Sequence, residues 1–503
     1  MRIAIDLQGL QSEGSRKRGI GRYSFEIINN LLDNHTNHEY VLVANAALRD
    51  IRYEFSKYLI DKKNITYVKW YSPTPLSFIS HSKVNNKVSK TLRSYTFNCL
   101  QVDIIIITSY FEGFTDNCMT DFDYDLLNIP VLTIFYDLIP LLNSDQYLSL
   151  NPEFAKFYYE KLDSIKNTNA LLAISQSSSK EAVKYLNFDK SKVYNISSAC
   201  DKSLFNNSSN ISSLSHILND TFPFLLYSGA GDPRKNLKNL LKSFSLLRPE
   251  LQTKYHLVLV GNLLPKEIEI INEWKINFKI KFNHIHILGY VSDIDLVTLY
   301  RKCSLFVFPS FHEGFGLPVL EAMCCGAPVI GSLSTSIPEI IGIDEAMFDP
   351  RDPYDMKELI ERALTDDVFL ERLKHNSITQ SKKFSWENTA NKLLLACSHN
   401  SKENSRNPLV FDWETIYNIK TKHLGYLINK LQIILKDERD ENFIKTVASS
   451  IDQINIDLSL YIRQIISDVK IENWHVEGPF DSSYSLSILN RSFTSFLDKE
   501  INN

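Results

Sequence analysis

The chain carries little that would hold a metal, a disulfide or a membrane span. Its seven cysteines (99, 118, 200, 303, 324, 325 and 397) are scattered and odd in number. Cys324 and Cys325 are adjacent rather than at zinc spacing, and no CxxC occurs, so buried thiols in a reducing cytoplasm are expected. There is no run of about 18 apolar residues to cross a bilayer. The opening MRIAIDLQGL lacks the charged-then-apolar layout of a signal peptide and reads as a first core strand. A net charge of −4 gives no overall attraction to nucleic acid. No Asp-x-Asp pair closes a candidate strand in the second half, so no metal–diphosphate site is expected. GIG at 19–21 lacks the third glycine of a dinucleotide fingerprint.

What is present is an ordinary globular composition, 44% hydrophobic and 23% charged, in a chain long enough for about three to four domain-sized units. Candidate strands RIAID (2–6), YVLVA (40–44), VDIIIIT (102–108), VLTIFY (131–136), ALLAIS (170–175) and VYNIS (193–197) alternate with amphipathic stretches. Unbroken runs such as IIII indicate strands covered on both faces, hence a parallel α/β sheet. Polar NNSSNISSL (206–214) reads as a linker. A second series follows at 224–229, 256–261, 284–290, 305–309 and 328–331. Two doubly wound units in tandem place ligands at the carboxyl ends of strands, in the cleft between the units.

Beyond polar NSKENSRNP (400–408), segments 413–437 and 449–468 carry apolar residues at helical steps. Residues 474–500 echo the chain's opening, with a Tyr-Ser pair starting a helix both times. Coincidence within a generic βα unit competes here with the start of a second copy of the first domain.

The segment SFHEGFGLPVLEAMCCGAPVIGS (310–332) holds the main chemistry. Gly314 and Gly316 permit a tight turn and close backbone approach. Pro318 suits a helix start, and Gly326 with Pro328 ends that helix. The resulting helix N-terminus is a seat for an anion, with Glu313 at the turn and Glu321 on the helix. In SGAGDPRKNLKNLLKSF (228–244), Arg234 and Lys235 stand at another helix entrance, where fixed positive charge suits a departing diphosphate. A Tyr-Asp pair, Tyr136 and Asp137, ends an N-terminal strand and would face the cleft; Asp137 would hold a sugar hydroxyl or cap the next turn. Lys83, Lys87, Lys90 and Arg93 form a basic stripe on one helix, fit for anionic lipid or simply solvated over a core stripe.

Together GIGRY (19–23), GDPRKNLKNLL (231–241), LGYVSDIDLVTLYRKCSLFVFPSFHEGFGLPVLEAMCCGAPVI (288–330) and FSWENTANKLL (384–394) resemble glycosyltransferase family 4 over about residues 1–398. The resemblance implies the GT-B fold: two Rossmann-like domains facing a cleft. The expected division is 1–205 for the acceptor side, 206–384 for the nucleotide-sugar side and 385–400 for a returning helix. A helical extension would follow over 401–470, and 471–503 would begin any second module.

It further implies metal-independent transfer from a nucleotide sugar with retention at the anomeric carbon. Glu313 would lie at the sugar ring and Glu321 at the ribose hydroxyls. Arg234 and Lys235 would neutralise the diphosphate. Gly314, Phe315, Gly316 and Leu317 would approach sugar and phosphate, Tyr290 and Val291 would border the base, and Gly21 would close over the diphosphate. Many members have His-Asp where this chain has Tyr136-Asp137, so Tyr136 would position the sugar by its hydroxyl or not at all.

The GIGRY and YDLIP combination resembles O-antigen and polysaccharide mannosyltransferases. That implies no cofactor beyond the donor, GDP-mannose, and a lipid-linked glycan acceptor, with no nucleic acid partner. The location implied is the cytoplasm, with peripheral contact at the inner face of the membrane. A GT-B nucleotide-sugar epimerase and a non-catalytic scaffold of a glycan assembly complex are the alternatives.

Overall fold

The computed structural model describes residues 1–208, 222–229, 231–401 and 413–465. Two parallel sheets dominate it. The first contains β1 (Arg2–Asp6), β2 (Glu39–Asn45), β3 (Ile65–Trp70), β4 (Ile104–Ile107), β5 (Val131–Phe135), β6 (Ala170–Ala173) and β7 (Val193–Asn195). Their order is β3-β2-β1-β4-β5-β6-β7. The second contains β8 (Phe224–Ser228), β9 (His256–Val260), β10 (Ile285–Gly289), β11 (Leu305–Phe308), β12 (Val329–Ser332) and β13 (Met347–Phe348), ordered β10-β9-β8-β11-β12-β13. Both reverse direction at their first strand, which opens a crevice at the carboxyl ends. Runs such as Ile104–Ile107 and Leu305–Phe308 are buried throughout, because helices cover both faces of each sheet.

The structure adds two strands to those read from the pattern. ITYVKW (β3) has a lysine in mid-strand because it lies at the edge of its sheet. The β13 strand is only two residues long.

The helix Trp386–Asn400 returns to the first domain, packing on the helix Gly19–Asn34 and on β7. Helices Trp413–Ile434 and Glu441–Ile465 also dock on that domain, against the helix Lys83–Cys99 and against β3. Leu427, Ile451, Ile454 and Leu458 are buried there. Tyr95 Oη donates to Asn455 at 2.9 Å and Tyr461 Oη to the Leu100 carbonyl at 2.6 Å.

The first domain's own contacts correct the basic stripe. Arg93 is buried against Asp6 and beneath the rings of Phe97 and Phe122. Lys90 pairs with Asp121 at 3.0 Å. Only Lys83 and Lys87 of the four remain on the surface. Among the described residues no helix is long and apolar enough to cross a membrane. The segment 471–503, read as the start of a second module, lies outside the described residues, as does most of the 206–214 linker.

Candidate active site

Strand β11 runs straight into the turn that the sequence marks. Gly316 has φ +110°, and Ile337 packs where its β-carbon would stand, so only glycine fits both demands. The helix Leu317–Cys324 then begins, with Glu321 buried on it. In the loop after the neighbouring strand β8, Asp232 caps the short turn Pro233–Lys235 by accepting the Arg234 N–H at 2.9 Å. That turn aims Arg234 and Lys235 at Glu313. Lys235 Nζ donates to Glu313 Oε1 at 2.7 Å, and Arg234 Nη1 lies 2.9 Å from Oε2. Burial opposes ionisation of Glu313, but the charges of Lys235 and Arg234 prevail and hold it down at about 2.

Glu321 is the reverse. Burial pushes its carboxyl up to about 7, only partly countered by Arg22. Arg22 crosses from the first domain, its Nη1 3.3 Å from Glu321 and its Nη2 3.2 Å from Asp293. Tyr300 Oη lies 3.4 Å from the other Glu321 oxygen.

Residues from both domains line one cleft of about 480 Å³, including Arg18, Gly19, Tyr136, Asp137, Arg234, Lys235, Glu313, Gly314, Phe315, Gly316, Leu317 and Glu321. Asp137 accepts the Ile139 N–H at 3.0 Å, so it does cap the following turn. Its other oxygen lies against Gly314, where a β-carbon would come within 2.7 Å. Burial pushes the Asp137 carboxyl up to about 6, with nearby Glu181 adding to the rise against the pull of the Ile139 N–H.

Three of the expected positions lie as follows. The Tyr136 hydroxyl turns back into its own domain, 3.1 Å from the Thr108 carbonyl and 3.3 Å from Ser24 Oγ, because its ring packs edge-on against Tyr23. Gly21 is buried against the backbone of Arg16, where a side chain would collide with the carbonyl. Gly19 and Ile20 line the cleft in its place. Tyr290 stands 82% exposed, at a neighbouring cavity rather than in the cleft itself, while Val291 packs partly against the core.

Sequence reasoning passed over Arg22, Glu181 and His312. His312 Nε2 lies 2.8 Å from Glu181 Oε1 across the domain boundary. Glu181 Oε2 also accepts the Leu138 N–H at 2.9 Å, so it ties the Asp137 loop to the Glu313 turn. For His312 the available signal was its place beside Glu313. Arg22 lies within the GIGRY motif itself.

Residues 211–384 match the family model described as glycosyl transferases group 1. The chain is 36% identical over 399 residues to a serotype-specific mannosyltransferase WbdA of Escherichia coli, covering 78% of this chain and 47% of that protein. It is 34% identical over 244 residues to the O-antigen chain mannosyltransferase B of Escherichia coli, covering 48% of this chain and 62% of that one. The chain thus spans about half the length of the WbdA proteins it matches. Among solved structures, Anabaena HepE in complex with UDP and glucose superposes with a TM-score of 0.59 at 16% identity, over 79% of this chain and 100% of that one. WaaG, a glycosyltransferase involved in lipopolysaccharide biosynthesis, gives 0.53 at 15% identity, over 80% and 100%.

Two facing Rossmann-like sheets with this cleft define the GT-B fold. Its residues 211–384 match the group 1 glycosyl transferases, and the curated proteins it resembles include a serotype-specific mannosyltransferase and an O-antigen chain mannosyltransferase.

Proposed function

We propose that the chain is a retaining, metal-independent mannosyltransferase that moves mannose from a nucleotide sugar, GDP-mannose, to a lipid-linked polysaccharide acceptor. The observation that carries the reading is Glu313 held between Arg234 and Lys235 at the mouth of a helix N-terminus, inside a cleft built by both domains. The names of the relatives support the choice of sugar and pathway.

In this reading the donor's diphosphate lies at Arg234, Lys235 and the Gly316–Leu317 helix start. The two fixed cations supply charge where the leaving group develops it, which is why no divalent ion is invoked. Glu313, with both oxygens engaged and its carboxyl held near 2, is a poor base. It orients the two cations and stands beside the reacting ring, where its negative charge favours an electron-poor anomeric carbon. The attacking hydroxyl approaches on the leaving-group face, and a phosphate oxygen takes its proton. Glu321 meets the ribose hydroxyls, which replace Arg22 as its partners. Asp137, its carboxyl near 6 and beside Gly314, holds a sugar hydroxyl. Tyr290 and Val291 border the base. Such a donor and a carrier-bound acceptor meet at the cytoplasmic face of the membrane, and the protein acts there.

A panel of nucleotide sugars with and without a lipid-linked oligosaccharide tests this, read as release of nucleoside diphosphate. Release with GDP-mannose only when acceptor is present is the expected result. Free epimer released without acceptor would overturn it.

A further inference from the structure

Asp137 and the cluster of Arg234, Lys235 and Glu313 belong to different domains. The second domain orders its own cations, but it does not by itself fix their distance from Asp137. Two contacts across the boundary converge on Arg234.

The first joins Glu181, on the helix Gln176–Tyr185 of the first domain, to His312, which stands just before Glu313; both are buried. His312 Nε2 donates to Glu181 Oε1 at 2.8 Å, while Oε2 accepts the N–H of Leu138, the residue after Asp137. On the other side, the His312 carbonyl accepts Arg234 Nη1 at 2.7 Å, and the Phe311 N–H donates to the Arg234 carbonyl at 2.8 Å. The second contact is made by Tyr147, whose hydroxyl donates to Asp232 at 2.6 Å. Asp232 in turn accepts the Arg234 N–H. Arg234 is therefore held at its main chain by a residue tied to Tyr147, and at its guanidinium by one tied to Glu181.

Docking of the domains takes Glu181 and His312 out of water together. Any docking that separates them leaves two buried polar groups without partners, which costs more than the pair gains. Such a pair adds little net stability, yet it selects one register of the two domains. Neither side chain is among the described residues that line the cleft, so both act through Asp137 and Arg234 and not on a ligand directly.

We propose that Glu181 is a positioning residue for transfer: with His312 it sets the separation between Asp137 at the donor sugar and Arg234 at the departing diphosphate. The reaction step rests on the transferase reading above; the tie between the domains does not. Misplacing reacting groups by about 1 Å costs about 100-fold in rate. The effect therefore belongs to kcat and not to nucleotide binding.

Two measurements separate the tie from the reaction. The first is hydrogen exchange read by mass spectrometry on the full chain without ligand. His312→Ala lies in the second domain, yet it should speed exchange of residues 137–143 in the first by about tenfold or more. Unchanged exchange there in a folded His312→Ala chain overturns the tie.

The second measurement is transfer from GDP-mannose to a lipid-linked oligosaccharide, with GDP affinity followed by calorimetry. Glu181→Ala should lower kcat by about 100-fold and leave GDP affinity within about twofold. His312→Ala breaks the same tie from the other domain and serves should Glu181→Ala fail to fold. In Glu181→Gln the amide still accepts the Leu138 N–H and pairs with the His312 ring, so kcat should recover to within about tenfold of the parent chain. The double variant should be no slower than the slower single one, because the two side chains act as a unit. Parent-like kcat in a folded alanine variant, no recovery in Glu181→Gln, or additive losses overturn the positioning role. A loss of GDP affinity that matches the loss of kcat overturns it as well, since the whole donor site is then damaged. No transfer by the parent chain from any nucleotide sugar overturns the transferase reading, and the exchange measurement then decides the tie alone.

Discussion

Glu313 and Glu321 flank one glycine turn and are both buried, yet their surroundings oppose each other. Glu313 meets two cations of its own domain, each fixed by a capped turn and each largely shielded from water. Glu321 meets one cation, Arg22, which is 45% exposed and comes from the other domain. The carboxyl of the first lies near 2 and that of the second near 7. Burial disfavours the charge in both, so the partners make the difference. One end of the cleft is thus pre-organised by its own domain. The other end is complete only when the domains meet or a ligand arrives.

The largest effect that would break this comparison is Lys235→Ala. Losing one fixed donor at the developing charge should lower kcat by about 100- to 1000-fold. Full activity with GDP-mannose and acceptor would place the diphosphate elsewhere. Glu321→Ala should act on binding, raising the donor KM by about 10- to 100-fold with a smaller change in kcat. A loss confined to kcat would contradict a ribose contact.

The pH dependence of the nucleotide-free protein sharpens the contrast. Glu313 is depressed in the fold, so its contribution to stability is present above the ordinary value of 4.5 and is lost as pH falls toward 2. Glu321 is raised, so its contribution is full below 4.5 and is lost as pH rises through about 7. Thermal unfolding across pH should therefore show Glu313→Gln flattening the acid limb and Glu321→Gln flattening the slope between about 4.5 and 7. Flattening of the same limb by both would erase the distinction.

The smallest effect belongs to Arg22→Ala. A half-exposed pair is worth about 0–1 kcal/mol, so donor affinity should rise by at most about fivefold as Glu321 is freed. A large loss of affinity would instead make Arg22 a donor ligand.

What the sequence revealed follows the same division. The turn at 310–332 is legible because Gly316, Pro318 and Gly326 each answer a local backbone demand, and the short buried strands on either side announce themselves as apolar runs. Arg22 and Glu181 were not legible, since their partners Glu321 and His312 stand 299 and 131 residues away in the other domain. The same holds for Tyr136. Its place at a strand end was readable, but the direction of its hydroxyl depends on Tyr23 and Ser24, which no local pattern names. β3 was missed for a related reason: Lys69 breaks its apolar run, and its protection comes from a helix far along the chain.

That helix has a consequence for the sheet it covers. β3 is an edge strand, and an open edge with free backbone groups invites pairing with another chain. Asp457, on the helix Glu441–Ile465, accepts the Lys69 backbone N–H at 3.2 Å, and Tyr71 Oη lies 3.4 Å from the same carboxylate. A side chain thus takes the hydrogen bond that a neighbouring strand would otherwise claim. The helical extension is, for the first domain, a guard against unwanted strand addition at the β3 edge of its sheet.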